Sequence, residues 1–455
     1  MSETAQSASL ETFGYKQELK RSLSLSDLLV YGLVFIVPGA PIAVFGIVFN
    51  ASHGMVPLVY LVGLVAMLFT ALSYMAMSRA FPVAGSVYSY AARSLGPTAG
   101  FIAGWAMLLD YLLLPALSYV VCAIAFYAML PQVPKPVWVV LLLSFSTVVN
   151  YFGIEITART NFVMLALQLL ILAVILIAGI GALAHHASGA HFSVTPFYNP
   201  VELTPGLVFG ALSLAVLSFL GFDAISTLSE ESRGGPATIA RATILSLCIS
   251  ALLFVAQTYI ASLFVLGRTS FAPGDATNAA FYNIAVTIGG GWLKFLVAGP
   301  MILFGGIAGA LTAQAATARL LFGMARDGRL PKVLARIDPA RKVPERAIFL
   351  VAAITLVLGL FMVEKLELLT SMVSFGALVG FLLLHASVIA HFAWHQRSRD
   401  WLRHLLAPGI GILITGYVLW NAETNAKIAG GLWLLAGSLA LVIRRAARHD
   451  QIPGA

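Results

Sequence analysis

Two apolar segments, one in each half of the chain, carry a break that would fall in the middle of a membrane-spanning helix. The first covers residues 30–49 and is interrupted by Pro38-Gly39-Ala40-Pro41; the second covers residues 207–228 and is interrupted by Phe219-Leu220-Gly221-Phe222-Asp223. Inside lipid, such a break persists only where protein encloses the freed backbone groups. Paired broken helices at corresponding positions of two repeats indicate a solute-binding site of the kind found in secondary transporters. We therefore expect the two breaks, with Val37 beside the first, to line a binding site.

The overall composition predicts an all-α polytopic membrane protein. Of the 455 residues, 60% are hydrophobic and 10% are charged, whereas soluble domains carry about 25% charged residues. A membrane span needs about 20 apolar residues, and this criterion predicts about twelve transmembrane helices. Cys122 and Cys248 both lie in apolar runs, so they indicate neither a disulfide framework nor a metal site. We expect no metal and no cofactor.

The basic residues predict the orientation of these spans. If both termini are cytoplasmic, 22 of the 27 Lys and Arg residues fall on inner segments, which is the bias that the positive-inside rule demands. The net charge of +8 thus follows the membrane and does not indicate a nucleic-acid partner. Residues 1–25 lack the features of a signal peptide and are expected to form a cytoplasmic tail. The short loops fit a bacterial inner membrane, with the lipid bilayer as the main partner of the protein surface.

The order of the spans predicts three regions after the tail. Spans 1–5 (26–185) and spans 6–10 (206–394) form two five-helix units, each of which opens on a broken helix. Spans 11 and 12 (400–445) bring no charge to membrane depth and are expected to act as scaffold or as an oligomer surface. Span 3 is predicted as one long, tilted helix from about Gly85 to Met129.

Two carboxylates, Asp110 on span 3 and Asp223 on span 6, are predicted to lie at membrane depth, where charges are costly and usually functional. No Lys or Arg falls near the predicted centre of spans 1, 3 or 6, so these groups suit a cationic ligand or a proton. Asp223 could instead accept hydrogen bonds from exposed backbone N–H groups and hold the break open. Asp110 could contact substrate or a gate, or tie span 3 to a neighbour. Glu230 and Glu231, at the inner end of span 6, fit a gate or a structural latch.

The residues around the first break favour an amine over a carboxylate as ligand. Carriers often hold a substrate carboxylate with free amides at a half-helix N-terminus. Pro38 and Pro41 each remove such an amide, although Gly39 and Ala40 could still donate. Aromatic side chains near the charged positions could form walls or make cation–π contacts with an ammonium group, and each could equally be plain packing. These side chains are Tyr111, Phe219 and Phe222.

Several motifs make the chain resemble the amino acid–polyamine–organocation superfamily, and within it the bacterial putrescine importers. The resemblance covers spans 1–10 and implies a leucine-transporter-like fold with a five-plus-five inverted repeat. It also implies a substrate site near the midplane between spans 1, 3, 6 and 8, and alternating access. In those importers the matching tyrosine and glutamate are implicated in putrescine binding, which points to Tyr111 and to Glu230 or Glu231. The motifs run over residues 81–90, 96–97, 100–105, 109–111, 218–223, 230–231 and 318–331.

Two departures from that pattern leave the substrate and the coupling ion open. Where the importers tend to carry an aspartate on span 1, this chain has Ala43, so one carboxylate expected to face a diamine is missing, and the ligand could instead be a monoamine, another polyamine or an amino acid. Some proton-coupled relatives carry a lysine on span 5 where this chain has Gln168. We place Gln168 and Gln314 with Glu230 and Glu231 among the gate or coupling residues.

The sequence therefore predicts a secondary active transporter that imports a small organic cation, putrescine-like, with coupling to protons. The alternative is an amino acid permease of the same fold. A channel and a membrane-embedded enzyme have less support, because an enzyme would need a nucleophile–base pair or metal ligands at membrane depth. The only candidates for these, His385 and His391, are six residues apart and do not share a helix face. The sequence does not decide between uniport, symport and exchange, and it does not give the oligomeric state.

Overall fold

A computed structural model describes residues 23–81, 86–152, 158–228, 232–300, 309–326, 328, 330–338 and 343–449. The predicted tail therefore lies almost entirely outside the described residues, as do Glu230 and Glu231. Within the described ranges the elements are helices: α1 Leu25–Ile36, α2 Ala40–Ser52, α3 Val56–Ala80, α4 Ser86–Ser94, α5 Pro97–Met129, α6 Lys135–Phe152, α7 Ala158–Ala184, α8 Pro205–Phe219, α9 Gly235–Leu263, α10 Asp275–Asn278, α11 Ala280–Gly289, α12 Gly291–Pro300, α13 Ala310–Arg326, α14 Glu345–Met362, α15 Leu366–Val388, α16 Ala407–Trp420 and α17 Thr424–His449.

The first span is broken, as its sequence predicts, but the break begins one residue earlier. Helix α1 ends at Ile36, α2 begins at Ala40, and the two are bent by 44°. Val37 lies between them with φ +59, a conformation that is unusual for a β-branched residue. Pro41 falls in the first turn of α2, where a proline costs no helical hydrogen bond. The prediction that Ala40 and Pro41 belong to the break is wrong; both are helical.

The sixth span is broken at the predicted place. Helix α8 ends at Phe219, and the chain resumes as a 3₁₀ helix, Asp223–Leu228. Gly221, in the turn between them, has φ +116, which glycine adopts without the steric cost that other residues incur. The two halves of this span are thus joined by a turn whose backbone only glycine fits easily.

The third span differs from its prediction. The run from about Gly85 to Met129 forms two helices, α4 and the 33-residue α5. Gly96, with φ +103, separates them, and Pro97 starts α5. A glycine with positive φ ends a helix, and proline favours the first turn of the next one. The Gly96-Pro97 pair is therefore a helix boundary, and the prediction of one continuous helix is wrong.

Nine helices in the described residues are long and apolar enough to cross a membrane, and the bent pair α1–α2 raises this number to ten. Helix α8 is shorter than a full span, and α12 and α13 flank residues that are not described. The predicted total of about twelve spans and the predicted repeat boundaries stay predictions.

Helix α5 lies at the centre of the helix packing and touches α6, α13, α14, α15 and α17. Its contact with α17 is reciprocal, because the Trp105 indole N–H donates to the Trp433 carbonyl (2.8 Å) and the Trp433 indole N–H donates to the Trp105 carbonyl (2.7 Å). The two indoles stack with centroids 4.8 Å apart. Helix α17, the predicted span 12, is therefore attached to α5 of span 3.

A buried lysine joins three elements at the end of the bundle where α6 begins. Lys135 is 6% exposed, and its Nζ lies 3.1 Å from Asp275 Oδ1 at the start of α10 and 2.8 Å from Glu364 Oε2 in the α14–α15 turn. Nearby, the Asn50 amide donates to the Phe271 carbonyl and accepts from the Phe271 N–H. These contacts attach the connection before α10 to α2 on one side and to α6 on the other.

Candidate substrate-binding site

The two broken spans contact each other at their breaks. A Cβ atom at Gly221 would collide with the Phe35 ring and would lie 3.0 Å from the Ile36 nitrogen. One turn earlier along α1, Gly32 leaves room for the side chain of Ile225 in the 3₁₀ helix. Each broken span thus has a glycine whose backbone packs directly against a side chain of the other span. The juxtaposition of the breaks that the sequence predicts is present in the structure.

Asp223 caps the turn of the sixth span. Its Oδ1 accepts a hydrogen bond from the Gly221 N–H at 3.1 Å, and its side chain is buried. This is the contact expected if Asp223 holds the break open. Its second oxygen, Oδ2, lies 3.5 Å from the Tyr111 hydroxyl, which donates to it from α5. Asp223 therefore has one oxygen occupied by the backbone and one directed to span 3.

Asp110 is the carboxylate with spare acceptor capacity. It is 4% exposed on α5, and its Oδ1 has no hydrogen-bond partner among the described residues. No salt bridge within the described ranges involves Asp110 or Asp223. A buried carboxylate without an ion-pair partner is costly, so a cation or a proton at Asp110 would stabilise the site.

Gly376 of α15 allows the tenth span to approach Asp110. A Cβ at Gly376 would lie 2.8 Å from the Asp110 nitrogen and 2.9 Å from the Ala106 carbonyl oxygen. The carboxylate is therefore at a close helix–helix contact, where a larger residue on α15 would displace α5. Gly376 thereby places span 10 beside the site as well.

Tyr111 connects three spans. Its hydroxyl donates to Asp223 on span 6, and its main-chain carbonyl accepts a 2.6 Å hydrogen bond from the Thr317 hydroxyl of α13. Because both the hydroxyl and the main-chain carbonyl of Tyr111 are hydrogen-bonded, the position of the side chain is fixed at both ends. Spans 3, 6 and 8 thus converge at Tyr111, as the resemblance to putrescine importers implies.

The first break offers few backbone donors. The Ala40 N–H donates to the Val37 carbonyl (2.7 Å) and the Ile42 N–H to the Gly39 carbonyl (2.9 Å). Prolines at 38 and 41 have no N–H. Gly39 is then the one residue from 38 to 42 whose N–H has no partner within the described structure. A cradle for a substrate carboxylate is correspondingly poor, which agrees with the expectation drawn from the two prolines.

The freed carbonyl at the same break has a side-chain partner. The Pro38 oxygen accepts a 2.8 Å hydrogen bond from Gln257 Nε2 on α9. Gln257 is 1% exposed, so this bond satisfies a main-chain group that the lipid could not.

The two phenylalanines of the second break pack against aromatic neighbours. The Phe219 ring lies 5.8 Å from that of Tyr60 and 5.3 Å from that of Phe254, on spans 2 and 7. The Phe222 ring lies 5.9 Å from those of Tyr74 and Phe381, on spans 2 and 10. Both are fully buried. Their contacts are those of core packing, and their role as walls of the site stays a prediction.

The two glutamines expected at the gate or coupling site differ in their environment. Gln314 Oε1 accepts from the Asn150 amide (2.9 Å) and its Nε2 donates to Thr147 (3.0 Å), so it joins α13 to α6. Gln168 on α7 is buried, and its Oε1 has no partner within the described ranges. Their functional roles stay predictions, and Glu230 and Glu231 lie outside the described residues.

Reasoning from the sequence missed Gln257, Thr317 and Gly376. It searched membrane depth for charges, whereas Gln257 and Thr317 are neutral. The signal available for Gln257 was a primary amide in the centre of an apolar span, which needs hydrogen-bond partners as a charge does. No single-sequence signal distinguishes Gly376 from the other glycines of the spans.

Comparison with known proteins identifies the family. The family model described as amino acid permease matches residues 28–434. The chain belongs to the amino acid permease family. It is therefore a multi-pass membrane protein and a secondary transporter with the leucine-transporter-like fold, which confirms the predicted fold class and indicates a transporter rather than an enzyme.

The relatives of this permease are named for different substrates. The chain is 34% identical over 445 residues to the low-affinity putrescine importer PlaP of Escherichia coli K12, covering 96% of each protein. It is 26% identical over 456 residues to the branched-chain amino acid permease BcaP of Lactococcus lactis, covering 91% of this chain and 92% of BcaP. It is 27% identical over 472 residues to a methylthioribose transporter of Bacillus subtilis, covering 93% of each.

Proposed function

We propose that this transporter imports a small organic cation, a putrescine-like amine, by alternating access with proton coupling. The observation that carries the proposal is the buried side chain of Asp110, whose Oδ1 has no partner in the described structure and which is followed on α5 by Tyr111, the donor to a second buried carboxyl group, that of Asp223. An ammonium group would neutralise this field and complete the hydrogen bonding of Asp110. A zwitterionic amino acid would also bring a carboxylate, and the first break offers few free N–H groups to bind it.

The comparison with PlaP supports an amine as substrate. PlaP is named a putrescine importer, and its similarity extends over nearly the whole of both chains. The amino acid permeases are less similar: BcaP of L. lactis is 26% identical. We take putrescine as the first ligand to test, and a branched-chain amino acid as the alternative.

In the proposed mechanism each residue has a separate task. Asp110 binds the ammonium group, Tyr111 presents its hydroxyl and ring, and Asp223 fixes both the turn at Gly221 and the orientation of Tyr111. Proton coupling would follow if Asp110 takes up a proton when the amine leaves, because the empty site otherwise retains a buried charge. Gln168, Gln314, Glu230 and Glu231 are proposed as gate or coupling positions, and Phe219 and Phe222 as the packing that supports the break.

We place the transporter in a bacterial inner membrane with both termini in the cytoplasm. The support is the distribution of its basic residues and the bacterial source of its relatives. Cysteine accessibility at an introduced site in the terminal helix α17 would test this orientation.

The deciding experiment is uptake by proteoliposomes that carry an inward proton gradient. Labelled putrescine should accumulate, the accumulation should collapse with a protonophore, and unlabelled amines should compete. Asp110→Asn should lower the rate of uptake, and Asp400→Asn, in a loop far along the chain, is the control for a lost carboxylate. Competition by leucine or alanine with no competition by amines would overturn the amine proposal in favour of an amino acid permease.

A further inference from the structure

Gln257 holds an unused hydrogen-bond acceptor at the first break. Its Nε2 donates to the Pro38 carbonyl (2.8 Å) and to the Leu253 carbonyl (3.1 Å). Both neighbours on that side are acceptors, so the amide nitrogen must face them and the orientation of the amide is fixed. The opposite atom, Oε1, is buried and has no partner within the described residues.

A buried amide oxygen without a donor is unfavourable, and such atoms usually have a protein, water or ligand partner. The side chain that carries this atom is attached to the break of the first span, because its Nε2 donates to the Pro38 carbonyl, and the end of α1 before that break packs on Gly221, whose N–H donates to Asp223. The side chain of Gln257 is thus connected, through the first break, to the turn that Asp223 caps. The adjacent helix α2 carries Ala43, an apolar residue, and provides no carboxylate there.

We propose that Gln257 is a specificity-determining residue whose Oε1 accepts a hydrogen bond from the distal N–H or O–H group of the substrate. This inference rests on the proposed function, since it assumes that an ammonium group occupies Asp110. The site then has one anionic pole, at Asp110 and Asp223, and one neutral pole, at Gln257. Its ligand class is a primary amine with a second hydrogen-bond donor, and the second group does not need a positive charge.

The competing interpretation is that Gln257 only supports the break through Nε2. The two interpretations differ in how the effect of a mutation depends on the ligand. Loss of a purely structural bond weakens every ligand alike, whereas loss of a direct contact weakens only the ligands that possess the contacting group.

The test measures the affinity of purified transporter for three probes of similar length, by calorimetry or thermal shift. Putrescine has a distal ammonium, 4-amino-1-butanol a distal hydroxyl, and 1-butylamine a distal methyl group. We expect the unmodified protein to bind the first two about tenfold more tightly than 1-butylamine. In Gln257→Met this preference should disappear, so that the three probes bind with about equal affinity. The affinity for 1-butylamine itself should change by less than about threefold.

The matched control is Thr258→Val, the next residue on α9. The Thr258 hydroxyl donates to the carbonyls of Phe254 and Val255 in its own helix, so its removal should leave the ligand preference unchanged. A second variant, Gln257→Glu, keeps the side-chain length and places a carboxyl group at the neutral pole. It should raise the preference for putrescine over 4-amino-1-butanol by about threefold or more, because the distal ammonium then meets an anion.

Equal weakening of all three probes in Gln257→Met, or an unchanged preference in Gln257→Glu, would overturn the inference and leave the proposed function intact. An unmodified protein that binds the three probes equally would do the same. If the unmodified protein binds none of the amines but binds leucine, the proposed function and this inference both fall.

Discussion

Gly221 of the sixth span lies against the backbone of Ile36 in the first, so closely that a Cβ atom would come within 3.0 Å of the Ile36 nitrogen. The two interruptions of helical structure are therefore one packed unit. Their contact depends on a residue with no side chain, and the same residue donates its N–H to Asp223. The geometry of the charged site is consequently coupled to the packing of the two broken spans.

Substituting Gly221 with alanine should destabilise the protein strongly. The new methyl group would meet Phe35, and the φ of +116 would become strained, which together cost about 2–4 kcal/mol. The melting temperature of the detergent-purified protein measures this cost. Gly416→Ala, in open space on α16, is the control and should leave the melting temperature nearly unchanged. Similar melting temperatures for the two variants would refute the close packing at Gly221.

Asp110→Asn should abolish most amine binding without unfolding the protein. The substitution removes a buried carboxyl group that has no ion-pair partner among the described residues and keeps the side-chain shape, so stability should be unchanged or higher. Affinity for putrescine should fall by at least about tenfold, since a charge-assisted hydrogen bond is lost. Binding calorimetry with a parallel melting curve separates the two effects. Unchanged affinity would show that the amine does not bind at Asp110.

Tyr111 and Asp223 should show energetic coupling in a double-mutant cycle. Tyr111→Phe removes the donor and Asp223→Asn removes the charged acceptor of the same 3.5 Å contact. If the hydroxyl is oriented by the carboxylate, the double variant should lose about 0.5–1.5 kcal/mol less binding energy than the sum of the single variants. Tyr119→Phe, on the same helix, provides the control. If the losses of binding energy in Tyr111→Phe and Asp223→Asn simply add in the double variant, the two side chains do not make a functional contact.

The ion pairs of Lys135 should respond asymmetrically to mutation. The lysine side chain is 6% exposed, whereas those of Asp275 and Glu364 are 67% and 64% exposed. Lys135→Met releases two carboxylates that water can solvate, so the loss should be about 1 kcal/mol or less. Asp275→Asn with Glu364→Gln leaves a buried ammonium group without its partners and should cost about 3 kcal/mol. Thermal denaturation of both variants tests the order, and the reverse order would mean that Lys135 is solvated.

The sequence could predict three features: the long apolar spans, the breaks in two of them and the acids at membrane depth. Apolar spans are what lipid requires, whereas a broken helix or a charged side chain in lipid needs protein around it and is therefore conspicuous. The exact limits of the first break could not be predicted. Proline at 41 looks like a helix breaker in a sequence, but it occupies the first turn of α2, where it is well tolerated. Gly96-Pro97 was likewise absorbed into one apolar run, although Gly96 turns the chain before α5.

The partners of the site residues were beyond the reach of sequence patterns. Asp223 bonds to an amide two residues away, which its position beside a break suggests. The pairing of Pro38 with Gln257 joins residues 219 positions apart, and nothing local specifies it. Phe222 illustrates the same difficulty, since its proximity to Asp223 suggested a wall and its ring packs on Tyr74 and Phe381. The direction in which a side chain points depends on tertiary packing and not on the residues next to it in the sequence.

The interlocked indoles of Trp105 and Trp433 have a consequence for how the molecule can move. Since each donates to the other's main chain, the last helix must travel together with the one that bears Asp110. The outward side of that last helix presents Ile428, Leu432, Leu435 and Leu439. A neighbouring copy or a binder docked on this apolar ridge would thus restrain the helix that carries Asp110 and, through Tyr111, the turn at Asp223.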